Sequence, residues 1–169
     1  MSWNGFFRRK ELNDARNAIM NNDFNGFILA ISGDIEQRDW LGRTLLMECV
    51  IHAKLPFISE LITRNADANA EDIQGWTALH FAAQNHDVET AKLLLANGAN
   101  SNTQDAAGNT PLGRAVFSCK GRHEFVQLML EYGGNPDQKN KAGISPRMLA
   151  DSVGNFDLSK LFTCPDKQA

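Results

Sequence analysis

An all-α solenoid of helix-turn-helix units joined by hairpin turns is predicted for this chain from two observations. A glycine-centred motif returns about every 33 residues, and each period holds two stretches of helical apolar spacing. Gly42-Arg43-Thr44, Gly75-Trp76-Thr77, Gly108-Asn109-Thr110 and Gly143-Ile144-Ser145 recur at spacings of 33, 33 and 35 residues. Three residues before each glycine stands Asp39, Asp72, Asp105 or Asn140. A unit of this length cannot bury its apolar face alone, so neighbours must stack into one continuous core.

The elements follow in order. Leu12, Ala15 and Ile19, then Phe24, Phe27, Ile28 and Ile31, give two short amphipathic helices ending at Gly33, read as a divergent first repeat. In the later repeats Thr77 and Thr110, with degraded copies at Thr44 and Ser145, are placed to N-cap a helix, and Pro111 and Pro146 occupy the first helical position. Small residues at Cys49, Ala82, Ala115 and Ala150 let the adjoining repeat approach.

A second helix in each repeat carries Ile58, Leu61 and Ile62, then Ala91, Leu94 and Leu95, then Val126, Met129 and Leu130 on one face. Pro56 falls where one of these helices begins, and Asn65, Gly98 and Gly133 end them with residues that tolerate a left-handed backbone. Asn155 to Phe162 supplies the last helix. The expected organisation is an extension over 1–10, a single domain over 11–163 and a flexible tail over 164–169. Repeats are expected at about 11–38, 39–71, 72–104, 105–139 and 140–163.

Thr77-Ala78-Leu79-His80-Phe81-Ala82-Ala83 and Thr110-Pro111-Leu112-Gly113-Arg114-Ala115, with the exit segment Leu93-Leu94-Leu95-Ala96-Asn97-Gly98-Ala99-Asn100, resemble the ankyrin-repeat family. The resemblance is clear over residues 39–163 and weak over 11–38. It implies an ankyrin-repeat solenoid of about five repeats, including a degenerate N-terminal cap, and a protein-binding function without catalysis. It also assigns His80 to hydrogen bonding between a hairpin and its neighbours.

Composition narrows the function classes. The chain has 169 residues, 43% hydrophobic and 22% charged, with a formal charge of -3, which suits an ordered globular chain. Lys and Arg are scattered, so no nucleic-acid ligand is expected. Three widely spaced cysteines, Cys49, Cys119 and Cys164, are expected to be free thiols in a reducing compartment. The start places Trp3, Phe6 and Phe7 ahead of Arg8, Arg9 and Lys10, the reverse of a secretory signal, and no apolar run reaches spanning length. A cytoplasmic protein with no membrane partner, monomeric on its own, is expected.

No nucleophile with a base and no paired carboxylates emerge from the sequence, so an enzyme is not expected. The equal spacing of Asp39, Asp72 and Asp105 puts each in its own turn, where Asp accepts backbone hydrogen bonds. Cys49 with His52 and Cys119 with His123 have zinc-compatible spacings. Cys49, however, sits at the small core position with His52 pointing away. No cofactor is expected; the alternative is a metal-dependent or enzymatic module on Cys119 and His123, or a self-assembling structural repeat.

The family's partner-facing positions lie beside the hairpin glycine and at the end of the first helix. Carried over by resemblance, they are Trp40, Leu41, Arg43, Ile51 and His52 in one repeat, then Ile73, Gln74, Trp76, Gln84 and Asn85. The next repeats add Asn109, Phe117 and Ser118, with Ala106 and Ala107 between, then Lys141, Ala142, Ile144, Ser152 and Val153. This set is apolar for an exposed surface, which marks a binding site. Trp40, Trp76, Phe117 and Ile144 are expected as a row along the concave face, with Trp76 at its centre. The apolar segment around Trp3, Phe6 and Phe7 is the competing cover for that row. The two extra residues between Gly108 and Gly143 are expected to enlarge the loop at Ser118–Arg122, with Lys120 and Arg122 at its tip. The partner expected from these features is another protein, with inhibition of a toxin enzyme in the manner of a bacterial immunity protein as one version.

Overall fold

The computed structural model describes residues 3–119, 123–152 and 156–162. Its helices come in five consecutive pairs: α1 (Trp3–Asn21) with α2 (Phe24–Ala30), α3 (Leu45–Ile51) with α4 (Leu55–Thr63), and α5 (Ala78–Asn85) with α6 (Val88–Ala96). The last two pairs are α7 (Pro111–Ser118) with α8 (His123–Glu131) and α9 (Pro146–Ser152) with α10 (Phe156–Leu161). First helices pack on first helices along the row α1, α3, α5, α7, α9, and second helices pack likewise from α2 to α8. Two helical layers result, with the core between them.

The small residues expected at the first-helix junctions are there: Cys49, Ala82 and Ala115 are wholly buried and Ala150 is nearly so. Ile58, Leu61, Ala91, Leu94, Val126 and Met129 of the second helices are also sealed from solvent. Each large apolar side chain buried in this way contributes roughly 1.5–3 kcal/mol, which is how stacking stabilises units that cannot fold singly.

Caps set the boundaries. The hydroxyls of Thr44, Thr110 and Ser145 accept from the backbone N–H of Met47, Gly113 and Met148 at 3.3, 3.2 and 3.3 Å. Asn65, Gly98 and Gly133 adopt φ of 62°, 85° and 76°. Beyond each, Ala66, Ala99 and Gly134 donate to Leu61, Leu94 and Met129, closing the helix end with a six-residue reverse bond.

Two expectations need correction. The first helix starts at Trp3, so the extension expected up to residue 10 is mostly continuous with α1, which no proline interrupts. Phe24 is 38% exposed and lies at the rim; Phe27, with no exposure, fills the core against Phe57 at 4.9 Å between ring centres. The hairpins hold no strand among the described residues, only an isolated bridge between Arg38 and Thr44. Each turn is closed by one backbone bond at its neck, such as Asp72 N–H to Trp76 O at 2.9 Å, and is too narrow for a ladder of its own.

The turns instead form a ladder with one another. Ile73, Ala106 and Lys141 donate to the carbonyls of Leu41, Gln74 and Ala107 in the preceding turn, at 3.0, 2.7 and 3.0 Å. Gly75 and Gly108, at φ of 72° and 80°, serve two ends here: the left-handed conformation, and room for the next turn. A Cβ on Gly108 would stand 2.8 Å from the Lys141 nitrogen. Lys120, Arg122, Val153, Asn155 and the tail with Cys164 lie outside the described residues, as do the side chains of Trp3, Phe6 and Phe7.

Candidate functional site

The turns and the first helices share one face, and its chemistry begins at the turn carboxylates. One oxygen of Asp39 accepts from the N–H of Leu41 and Arg43, both at 2.8 Å, and Asp105 holds Ala107 and Asn109 in the same way at 2.9 Å. Asp72 takes Gln74 and Trp76 at 2.8 and 2.9 Å, and Asn140 takes Ala142 and Ile144 at 3.0 Å with its amide oxygen. The structural role expected for these residues is therefore met in all four turns.

What each second oxygen meets differs. Nine residues after the turn acid, on the first helix, the repeats carry Glu48, Phe81, Arg114 and Leu149. Arg114 reaches back to Asp105, its Nε at 2.9 Å and a terminal nitrogen closer still. Asp39 is met by Arg16 from α1 at 3.0 Å and by Arg43 at 3.1 Å, and both guanidiniums also reach Glu48, at 2.8 and 3.3 Å. Burial pushes the carboxyls of Asp39 and Asp105 up, but backbone donors and the arginine charges outweigh it, so both lie below the usual range. Arg16, Glu48, Phe81 and Arg114 were not among the residues expected at the site. The sequence signal for Arg114 and Glu48 was a charge at a first-helix position that is apolar in neighbouring repeats.

Between the turns of the second and third repeats lies an open groove of about 250 Å³, lined by Leu41, Arg43, Asp72, Ile73, Gln74, Trp76, Phe81 and Gln84. Trp40 is 82% exposed and Ile73 66%, and they occupy the same register in adjacent turns, each two residues before its glycine. The next two turns carry Ala106 and Lys141 there, so the apolar tips belong to the N-terminal half.

The other expected positions divide. His52, Gln74, Gln84, Asn85, Phe117, Lys141 and Ile144 are exposed; Leu41, Arg43, Ile51, Asn109 and Ser118 are half-buried. Asn109 takes a hydrogen bond from the Asn140 amide at 2.8 Å, and the Ser118 hydroxyl donates to Arg114 O at 2.9 Å. Trp76 is half-buried: its ring lies 4.9 Å from Phe81, and the Arg114 guanidinium sits 4.5 Å above it. The row of four does not share one register, since Trp40 precedes its glycine, Trp76 and Ile144 follow theirs, and Phe117 ends a helix. Trp76 is thus a wall of the groove and Ile73 its exposed lip, while Trp40 stands exposed on the preceding turn, outside the groove lining.

The metal-binding alternative gains no donor set: the described residues hold no group of three or more His, Cys, Asp or Glu able to share an ion. Cys49 and Cys119 are both buried; burial, and Glu48 beside it, push the Cys49 thiol far up. His52 lies 3.8 Å from Glu48. No helix among the described residues is long and apolar enough to cross a membrane.

Stacked helix pairs bonded turn to turn, with an open groove on the turn side, define a repeat scaffold. The chain belongs to the ankyrin-repeat family, whose three-copy repeat model matches residues 16–105 and 46–140. It is 31% identical over 144 residues to the ankyrin repeat and KH domain-containing protein mask-1 of Caenorhabditis elegans, covering 83% of this chain and 5% of that protein. It is 28% identical over 134 residues to human SH3 and multiple ankyrin repeat domains protein 2, covering 79% and 7%. Protein PhlB of Serratia liquefaciens is 35% identical over 111 residues, covering 65% of this chain and 48% of PhlB. The chain thus spans less than half the length of each of these relatives. Ankyrin repeats are, as a family, protein–protein interaction modules.

Proposed function

We propose that this chain binds a partner protein, without catalysis, through the turns of its second and third repeats and the groove between them. The observation that carries this is the pair Trp40 and Ile73, large apolar side chains held in the open at the same register of adjacent turns, the second of them lining a groove. Apolar surface gathered in this way marks a contact site, and tryptophan is enriched where binding energy concentrates. The turn ladder fixes the spacing of these side chains before any partner arrives, so little ordering entropy is lost on association. In its finer form the reading is a monomeric cytoplasmic inhibitor that holds a toxin enzyme as an immunity protein does. That form is supported by the rigidity of the array and by similarity to a bacterial protein.

Affinity capture from the native cell tests the reading. A partner retained by the wild type and by Lys141→Ala, but lost with Trp40→Ala and Ile73→Ser, is the expected result. Equal retention by all four proteins overturns it. For the finer form, co-expression with the captured protein should relieve that protein's toxicity. A solution mass that rises with concentration, and stops rising in the same two variants, would instead make Trp40 and Ile73 a contact between copies of this chain.

A further inference from the structure

Among the three turn aspartates, Asp72 stands apart. Asp39 is met by Arg16 and Arg43, and Asp105 by Arg114, whereas among the described residues Asp72 takes only the two turn N–H groups, both on one oxygen, and no cation. The reason is in the sequence: the helix position from which Arg114 answers Asp105 is filled in this repeat by Phe81. Phe81 turns its ring to Trp76, and both rings line the groove together with Asp72. The arginine on the opposite wall, Arg43, is answered by Asp39 and Glu48. With Arg16 included, two guanidiniums face two carboxylates there, so the charge left uncompensated in the groove is that of Asp72.

A carboxylate beside aromatic walls and the apolar Ile73 is complementary to a cation on an apolar stem. The array itself shows the arrangement one repeat later, where Arg114 lies over the Trp76 ring and pairs with Asp105. We infer that the partner inserts a lysine or arginine into this groove, its stem along Phe81 and Trp76, its charge on Asp72, and flanking apolar residues on Ile73 and Trp40. This deepens the proposed binding function and rests on it.

Two substitutions isolate the charge. Asp72→Asn keeps an acceptor oxygen for the turn, as Asn140 does in the fifth repeat with both N–H groups at 3.0 Å, so the fold is retained. Phe81→Arg supplies the missing cation from within the chain, copying Arg114. The probe is a phage-displayed library of random twelve-residue peptides panned on the intact protein, with binders kept only if Ile73→Ser releases them. The expected result is a fixed lysine or arginine flanked by apolar residues, with affinity for the synthesised peptide falling tenfold or more in both Asp72→Asn and Phe81→Arg. Groove-dependent peptides with no fixed basic position, or with unchanged affinity for Asp72→Asn, overturn the inference and leave the binding function standing. If no selected peptide depends on Ile73, both fall.

Discussion

The Nε2 of His80 lies 3.1 Å from the backbone carbonyl oxygen of Asn109, tying a first helix to the turn of the next repeat. A carbonyl can only accept, so Nε2 carries the proton. Nδ1 is then free to accept the Thr77 N–H, at 3.1 Å, and the Thr77 hydroxyl lies 3.0 Å from it. One buried neutral ring therefore caps its own helix and bonds two repeats together.

Burial lowers the His80 pKa below its ordinary 6.5. The unfolded chain then binds a proton before the folded one does, so the ring's contribution is complete above pH 6.5 and is lost as pH falls through the folded value. Asp39 and Asp105, also lowered, add losses of the same sign below 3.8. Thermal melts should show a stability plateau above pH 6.5 and a decline beneath it, and His80→Gln should flatten the first part of that decline. An unchanged slope in the variant would contradict the assignment.

Ala82 is wholly buried in α5, the helix packed between α3 and α7. Ala82→Leu should cost about 1–3 kcal/mol through overpacking, read as a lower melting temperature. Exposed Ala106 in a turn tip is the control: Ala106→Leu should leave the melt within about 0.5 kcal/mol of wild type.

Trp40 and Ile73 should separate binding from stability. Trp40→Ala and Ile73→Ser change exposed side chains, so stability should shift by less than about 0.5 kcal/mol while partner affinity falls by about 1–2 kcal/mol or more. Trp76→Ala should lower both, because the ring packs on Phe81 and under Arg114 as well as lining the groove. Melts and binding isotherms on the same preparations distinguish the two patterns.

Arg16 and Glu48 pair at 2.8 Å across 32 residues of sequence and join α1 to α3. A double-mutant cycle of Arg16→Ala and Glu48→Gln should give a coupling of about 1 kcal/mol, since Arg16 is partly exposed and solvent screens the pair. The coupling should shrink in molar salt. A zero coupling at low salt would mean that the Arg16–Glu48 contact adds nothing to the hold on α1, leaving its apolar face and the Arg16–Asp39 pair.

Thiol titration checks the core assignment. Cys49 and Cys119 are buried, and the Cys49 thiol is pushed up by burial, so both should react with a thiol reagent only on unfolding. Rapid modification of Cys49→Ser protein at Cys119 would show that the end of α7 opens.

The repeat period, the turn aspartates, the threonine caps and the buried stripes were all legible in the sequence. Each depends on bonds that span a few residues, such as Asp72 to Trp76, or on one helix face seen in isolation. Trp76, expected as an exposed centre, became a half-buried wall because Arg114, a repeat away, covers its ring. Arg16 joined the turn of Asp39 from 23 residues upstream, in a helix that lies outside the repeated motif. Whether a given turn carboxylate is answered, and whether an aromatic ring is covered, depends on which side chain the adjoining repeat brings to the same place. That pairing is made by stacking, and only the tertiary structure could show that Asp72 and Ile73 face one groove while Asp39 and Asp105 are already paired.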